Sequence, residues 1–93
     1  MFKYEIKGKK IGFMGGYQYL FEFDNGYGAS VIKGPGTYGY EEGLYELAVL
    51  KSDGEGQSYI CYDTGITSDV IGYLSVEDVN NLLDKISELK GER

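Results

Sequence analysis

The chain has 93 residues, with ten Tyr and fifteen Gly but no His, no Trp, one Pro and one Cys. Nine basic residues against fifteen acidic ones leave a net charge of −6. Such a composition excludes Ser-His-Asp and Cys-His catalysis and any internal disulfide framework. It describes one globular domain, residues 1–93, with a core of modest size.

The charge is unevenly placed. Residues 1–10 hold Lys3, Lys7, Lys9 and Lys10 against Glu5, a balance of +3, which leaves −9 on residues 11–93. An acidic body lacks the basic footprint that phosphate contacts need, so direct nucleic-acid binding is not expected. No apolar run reaches the length of a membrane span, and the start, Met1-Phe2-Lys3-Tyr4-Glu5, has no apolar stretch of a signal peptide. A lone Cys61 suits a reducing cytoplasm.

In chain order, Phe2-Lys3-Tyr4-Glu5-Ile6 alternates with period two and predicts a half-buried strand. Gly8 reads as a turn, and Ile11-Gly12-Phe13-Met14 as a weaker strand closed by Gly15-Gly16. Tyr17, Tyr19, Phe21 and Phe23 then alternate with Gln18, Leu20, Glu22 and Asp24. Asn25-Gly26 follows, and Tyr27 to Ile32 resumes the strand pattern. Asn-Gly between alternating runs predicts a two-residue type I′ hairpin, with Phe21 opposite Ser30 and Tyr19 opposite Ile32. The aromatic face of this hairpin is the predicted core face.

Residues 34–43 read as an irregular loop. Leu44 to Lys51 predicts a strand with Tyr45, Leu47 and Val49 on one face, and Gln57 to Asp63 its hairpin partner across the turn residues 52–56. Between Thr64 and Leu74 the pattern is ambiguous, with Thr67 or Ser68 able to cap a short helical turn. Ser75 with Asp78 three residues on forms a capping box, and Val76, Val79, Leu82, Leu83, Ile86 and Leu89 recur at helical spacing up to Gly91. The fold class is therefore α+β: an antiparallel sheet of about five strands with one C-terminal amphipathic helix packed on a face.

The residues favour binding over catalysis. Cys61 lies mid-strand between Ile60 and Tyr62, where a thiol is structural rather than nucleophilic. Asp53-Gly54-Glu55 and the Asp63/Asp69 pair lack metal-site spacing, so no metal is expected. Gly34-Pro35-Gly36 lacks the Lys and helix of a phosphate loop. Among the tyrosines, Tyr19, Tyr45 and Tyr62 read as core, whereas Tyr17, Tyr27, Tyr38, Tyr40 and Tyr59 are placed to reach the surface. Tyr offers a large amphipathic contact area at low entropic cost. Tyr38, Tyr40, Glu41, Glu42, Tyr17 and Tyr27 are the candidate partner-binding residues. Lys7, Lys9, Lys10 and Lys33, with Lys3, form an alternative set for an anionic ligand.

Three segments carry a resemblance: Phe23 to Val31 around Asn25-Gly26-Tyr27-Gly28, Glu42 to Val49 around Gly43-Leu44-Tyr45-Glu46, and Tyr62 to Leu74 with Tyr62-Asp63-Thr64 and Asp69-Val70-Ile71-Gly72. Together they resemble a family of small uncharacterised proteins encoded in phage and prophage genomes. The resemblance implies a phage accessory protein acting in a bacterial cytoplasm. By analogy it implies a non-enzymatic, cofactor-free inhibitor that binds a host protein, such as a host-defence complex, in an anti-CRISPR-like or other anti-defence role. The alternatives are a sponge for a host signalling nucleotide, and a virion or assembly component that forms a homodimer through a sheet edge.

Overall fold

The computed structural model describes residues 2–11, 16–34, 40–52, 58–60 and 71–89, the side chains of residues 40 and 58–60 excepted. Its strands are β1 (Gly8–Ile11), β2 (Tyr17–Glu22), β3 (Tyr27–Lys33), β4 (Tyr45–Ser52), β5 (Ser58–Ile60) and β6 (Ile71–Leu74), followed by helix α1 (Val76–Ser87). Strands β1 to β5 form an antiparallel meander in chain order. β6 pairs with the first half of β4 and β5 with its second half, both on the side away from β3. The sheet is thus five strands across, with α1 packed on one face, as the α+β reading expects.

Alternation sets the faces. Phe21 of β2, Ala29 and Val31 of β3, and Leu47 and Val49 of β4 point to one side and are almost wholly buried. Val79, Leu83 and Ile86 of α1 meet them. Burying each of these larger aliphatic side chains contributes about 1.5–3 kcal/mol. The helix starts where the capping box predicts. Ser75 Oγ accepts from the Asp78 N–H, and Asp78 Oδ2 accepts from the Ser75 N–H, both at 3.1 Å. The α-helix ends at Ser87, short of Gly91, which lies outside the described residues.

Two expectations fail for a stated reason. The segment Phe2–Ile6 is not a strand; strand pairing begins at Gly8, which opens β1 instead of turning the chain. Its alternation serves packing instead. The Phe2 ring sits edge-on to Tyr19, Phe21 and Tyr45 at 5.4–5.6 Å, and the Tyr4 ring edge-on to Phe23 at 5.1 Å. Period two requires only that alternate side chains find the core, and this segment finds it by crossing the sheet face beside α1.

The hairpin lies where Asn25-Gly26 places it, but its register is shifted by one. Phe21 stands opposite Ala29 and Tyr19 opposite Val31. The loop has three residues, Asp24-Asn25-Gly26. The Phe23 N–H donates to the Tyr27 carbonyl at 2.8 Å, and the Gly26 N–H to the Phe23 carbonyl at 3.3 Å. Gly26 alone takes the left-handed conformation, with φ 87°. A one-residue slip exchanges the faces of the partner strand, so Ala29 and Val31 enter the core in place of Ser30 and Ile32.

β6 is an element the sequence left ambiguous. Leu74 pairs with Tyr45 and Ile71 with Leu47, so Gly72 and Tyr73 together oppose Glu46 in a bulge. The candidate cap at Thr67 or Ser68, Cys61, Tyr62 and the predicted strand beyond Ile11 lie outside the described residues.

Candidate functional site

One end of the sheet gathers most of the described candidates. It is formed by the end of β1, the start of β2, the end of β3 and the start of β4. Ile11 and Tyr17 are cross-strand partners, as are Tyr17 and Lys33. Ile11 is 76% exposed and Tyr17 43% exposed. With Ile6 and Tyr73 they are the large hydrophobic side chains exposed among the described residues, and only these two are cross-strand partners.

Lysines brace the rings. Lys9 Nζ lies 5.0 Å from the centre of the Tyr17 ring and 5.7 Å from that of Tyr19, and the two rings stack at 6.3 Å. Lys33 Nζ lies 5.0 Å from the Tyr45 ring centre. Such contacts contribute about 0.5–1 kcal/mol each at exposed positions and hold the rings upright.

Backbone closeness fixes this end. A Cβ on Gly16 would stand 2.8 Å from the Gly34 Cα, and one on Gly34 2.6 Å from the Gly16 Cα. Neither position has room for a side chain. The 34–43 connection therefore leaves directly beside Tyr17. It returns through the short 3-10 turn Tyr40–Glu42, on which Glu41 and Glu42 are exposed, and enters β4 next to the end of β3.

The predicted residues sort accordingly. Tyr17, Lys9, Lys33, Glu41 and Glu42 come to the same end of the sheet. Tyr27 does not: it is half-buried against the core at the hairpin end, with Lys51 Nζ 5.5 Å from its ring centre. A groove of about 320 Å³ near it is lined by Leu20, Glu22, Gly28 and Leu50 among others. Lys7 is ion-paired with Glu5 at 3.2 Å, and Lys10 points to the opposite face of the sheet from Lys9. Lys3 is bound to Asp84 of α1 at 3.1 Å, in an exposed ion pair. Tyr38 and the side chains of Tyr40 and Tyr59 lie outside the described residues.

Sequence reasoning passed over two residues. Ile11 belongs to the predicted weak strand, whose pattern gave no sign that it would face solvent. Tyr73 is 59% exposed at the β6 bulge and has φ 60°, the one left-handed non-glycine among the described residues. A left-handed conformation costs an L-residue about 1–2 kcal/mol. The bulge brings Tyr73 beside the pairing of Leu74 with Tyr45, hence to the same end of the sheet.

Among the described residues, no three His, Cys, Asp or Glu side chains are placed to share a metal ion. No described helix is long and apolar enough to cross a membrane. What the surface offers is apolar and aromatic contact area beside two lysines, with two exposed glutamates at the same end of the sheet. The chain matches no protein-family model, no curated protein and no solved structure, so its functional reading rests on this surface.

Proposed function

We propose that the protein is a non-enzymatic binding module that docks on a host protein through the Ile11–Tyr17 end of its sheet. Its setting is that of a phage accessory protein in a bacterial cytoplasm, and its effect is to block the partner, a host-defence complex being the leading class. The observation that carries the reading is the joint exposure of Ile11 and Tyr17, beside Lys9 and Lys33. An apolar and aromatic centre with a charged rim is the anatomy of a protein-binding hot spot.

The test is a tagged pull-down from bacterial lysate at low and moderate salt, comparing the native chain with Ile11→Ser plus Tyr17→Ala. Ile11 is largely and Tyr17 partly exposed, so the double variant should keep its stability within about 1 kcal/mol. Capture should fall by at least ~30-fold, the equivalent of ~2 kcal/mol at a hot spot. Undiminished capture of the same protein by a folded double variant would reject this surface.

A second reading draws on the same rings. Tyr17 could stack a nucleobase while Lys9 and Lys33 meet its phosphates, which would make the protein a sponge for a host signalling nucleotide. A thermal-shift screen decides it. A nucleotide present at 100 times its dissociation constant adds about 2.7 kcal/mol of stability, and no shift across the screen rejects the sponge.

A further inference from the structure

Among the described residues β1 pairs with β2 alone, so β1 is an edge of the sheet. Lys9, Lys10 and Ile11 are all exposed along it. An edge strand is a template on which another extended chain can pair through backbone hydrogen bonds. Alternation puts Lys9 and Ile11 on the face of Tyr17 and Tyr19, and Lys10 on the other face. Each face of the edge therefore carries one ammonium group.

That charge pattern selects the occupant. A second copy of this edge would bring Lys9 and Lys10 against Lys9 and Lys10, and like charges opposite one another destabilise a strand pair. An extended segment with adjacent carboxylates would instead place one acid on each face, against Lys9 and Lys10. It would run into the exposed Ile11–Tyr17 pair at the end of β1. We infer that β1 accepts an extended acidic segment of the partner protein as an added strand. This inference rests on the docking reading above and names the kind of segment that docks.

The test uses the full-length chain and three synthetic octapeptides, read by amide hydrogen exchange and by binding. The first has two adjacent glutamates at its centre and Thr and Val elsewhere. The second replaces the residues flanking the glutamates with Pro, and the third has Lys in place of Glu. The first peptide should slow exchange at least tenfold at those amides of Lys9, Lys10 and Ile11 that face away from β2, because the alternate amides of β1 already bond to β2, and the other two peptides should not. Lys9→Glu plus Lys10→Glu should weaken its binding at least tenfold, and Lys9→Gln plus Lys10→Gln by a smaller factor. Equal binding of the Pro peptide would overturn strand addition, as would fast exchange at those outward-facing amides with the acidic peptide bound. Protection of the free protein that grows with its own concentration would assign the edge to a second copy and overturn it too. If Tyr17→Ala abolishes capture of a host protein while the edge amides exchange equally fast in that complex, strand addition fails and the docking reading stands.

Discussion

Asn25 shows how one side chain can decide a register. Its Oδ1 accepts from the Tyr27 N–H at 3.0 Å. Its Nδ2 donates to the carbonyls of Ile86 at 2.9 Å and Leu89 at 2.8 Å, with that of Ser87 at 3.3 Å. Ile86 and Ser87 close the last turn of α1, where carbonyls lack the usual i+4 donor. The Ile86 carbonyl also accepts from the Leu89 N–H at 3.2 Å, and Leu89 lies just past the helix. The hairpin tip is thus the cap of α1, from more than sixty residues away. The Asn-Gly pair was legible as a turn, but the distant use of Asn25 was not. A type I′ turn needs Asn in the left-handed region, and here only Gly26 takes it. Asn25→Ala should cost about 1–2 kcal/mol in urea unfolding. Asn25→Asp should cost more at neutral pH, because a carboxylate there cannot donate and faces the negative end of the helix. Its deficit should shrink as pH falls and the acid regains a proton. Tyr73 makes the opposite case: Tyr73→Gly should raise stability by about 1 kcal/mol by relieving the left-handed strain. It should weaken partner capture if the strained tyrosine belongs to the docking end.

At the scale of elements, local signals and long-range ones part company. The capping box, the apolar stripe of α1 and the alternation of β4 are local, and each was read correctly from the chain. Ser75→Ala should therefore cost about 1 kcal/mol, and Leu83→Ala, at a fully buried position, about 2–5 kcal/mol. The N-terminal segment was read as a strand because only its spacing was visible. What holds it is a tie to α1. Tyr4 Oη hydrogen-bonds Asp84, the Lys3 ammonium pairs with the same carboxylate, and the Lys3 N–H donates to Asn80 Oδ1 at 3.0 Å. The Tyr4 hydroxyl first, and Lys3 second, hold the Asp84 carboxyl below its ordinary pKa, while Asp84 raises that of Lys3. A depressed acid stabilises the fold above its ordinary pKa and loses that contribution as pH falls through the lowered value. The tie should accordingly be intact at neutral pH and released in acid, at a pH below the usual Asp range. For Lys3 the contribution is full below its ordinary pKa and fades as pH rises through the raised value. Thermal unfolding followed from pH 7 downward should show the acid loss, and Asp84→Asn should flatten it.

For the whole molecule, the α+β architecture was legible because its patterns span most of the chain. The absence of His, the abundance of Tyr and the acidic body serve only the proposal of a binding domain. Composition could not place the binding end. Tyr17 and Tyr27 have similar sequence surroundings, yet one lies open beside Ile11 and the other packs on the core. Tyr27 follows the hairpin tip that Asn25 ties to the end of α1, whereas Tyr17 pairs with the exposed end of the edge strand β1. The basic and aromatic candidates, which looked like rival sites in the sequence, meet on one surface because β1, β2 and β3 bring Lys9, Tyr17 and Lys33 into register. Whether this surface contacts a partner is read by hydroxyl-radical footprinting of the free protein and of the complex recovered by pull-down. Oxidation of Ile11 and Tyr17 should drop sharply in the complex while that of Tyr27 is unchanged. Equal labelling of Ile11 and Tyr17 in both states would contradict the docking reading.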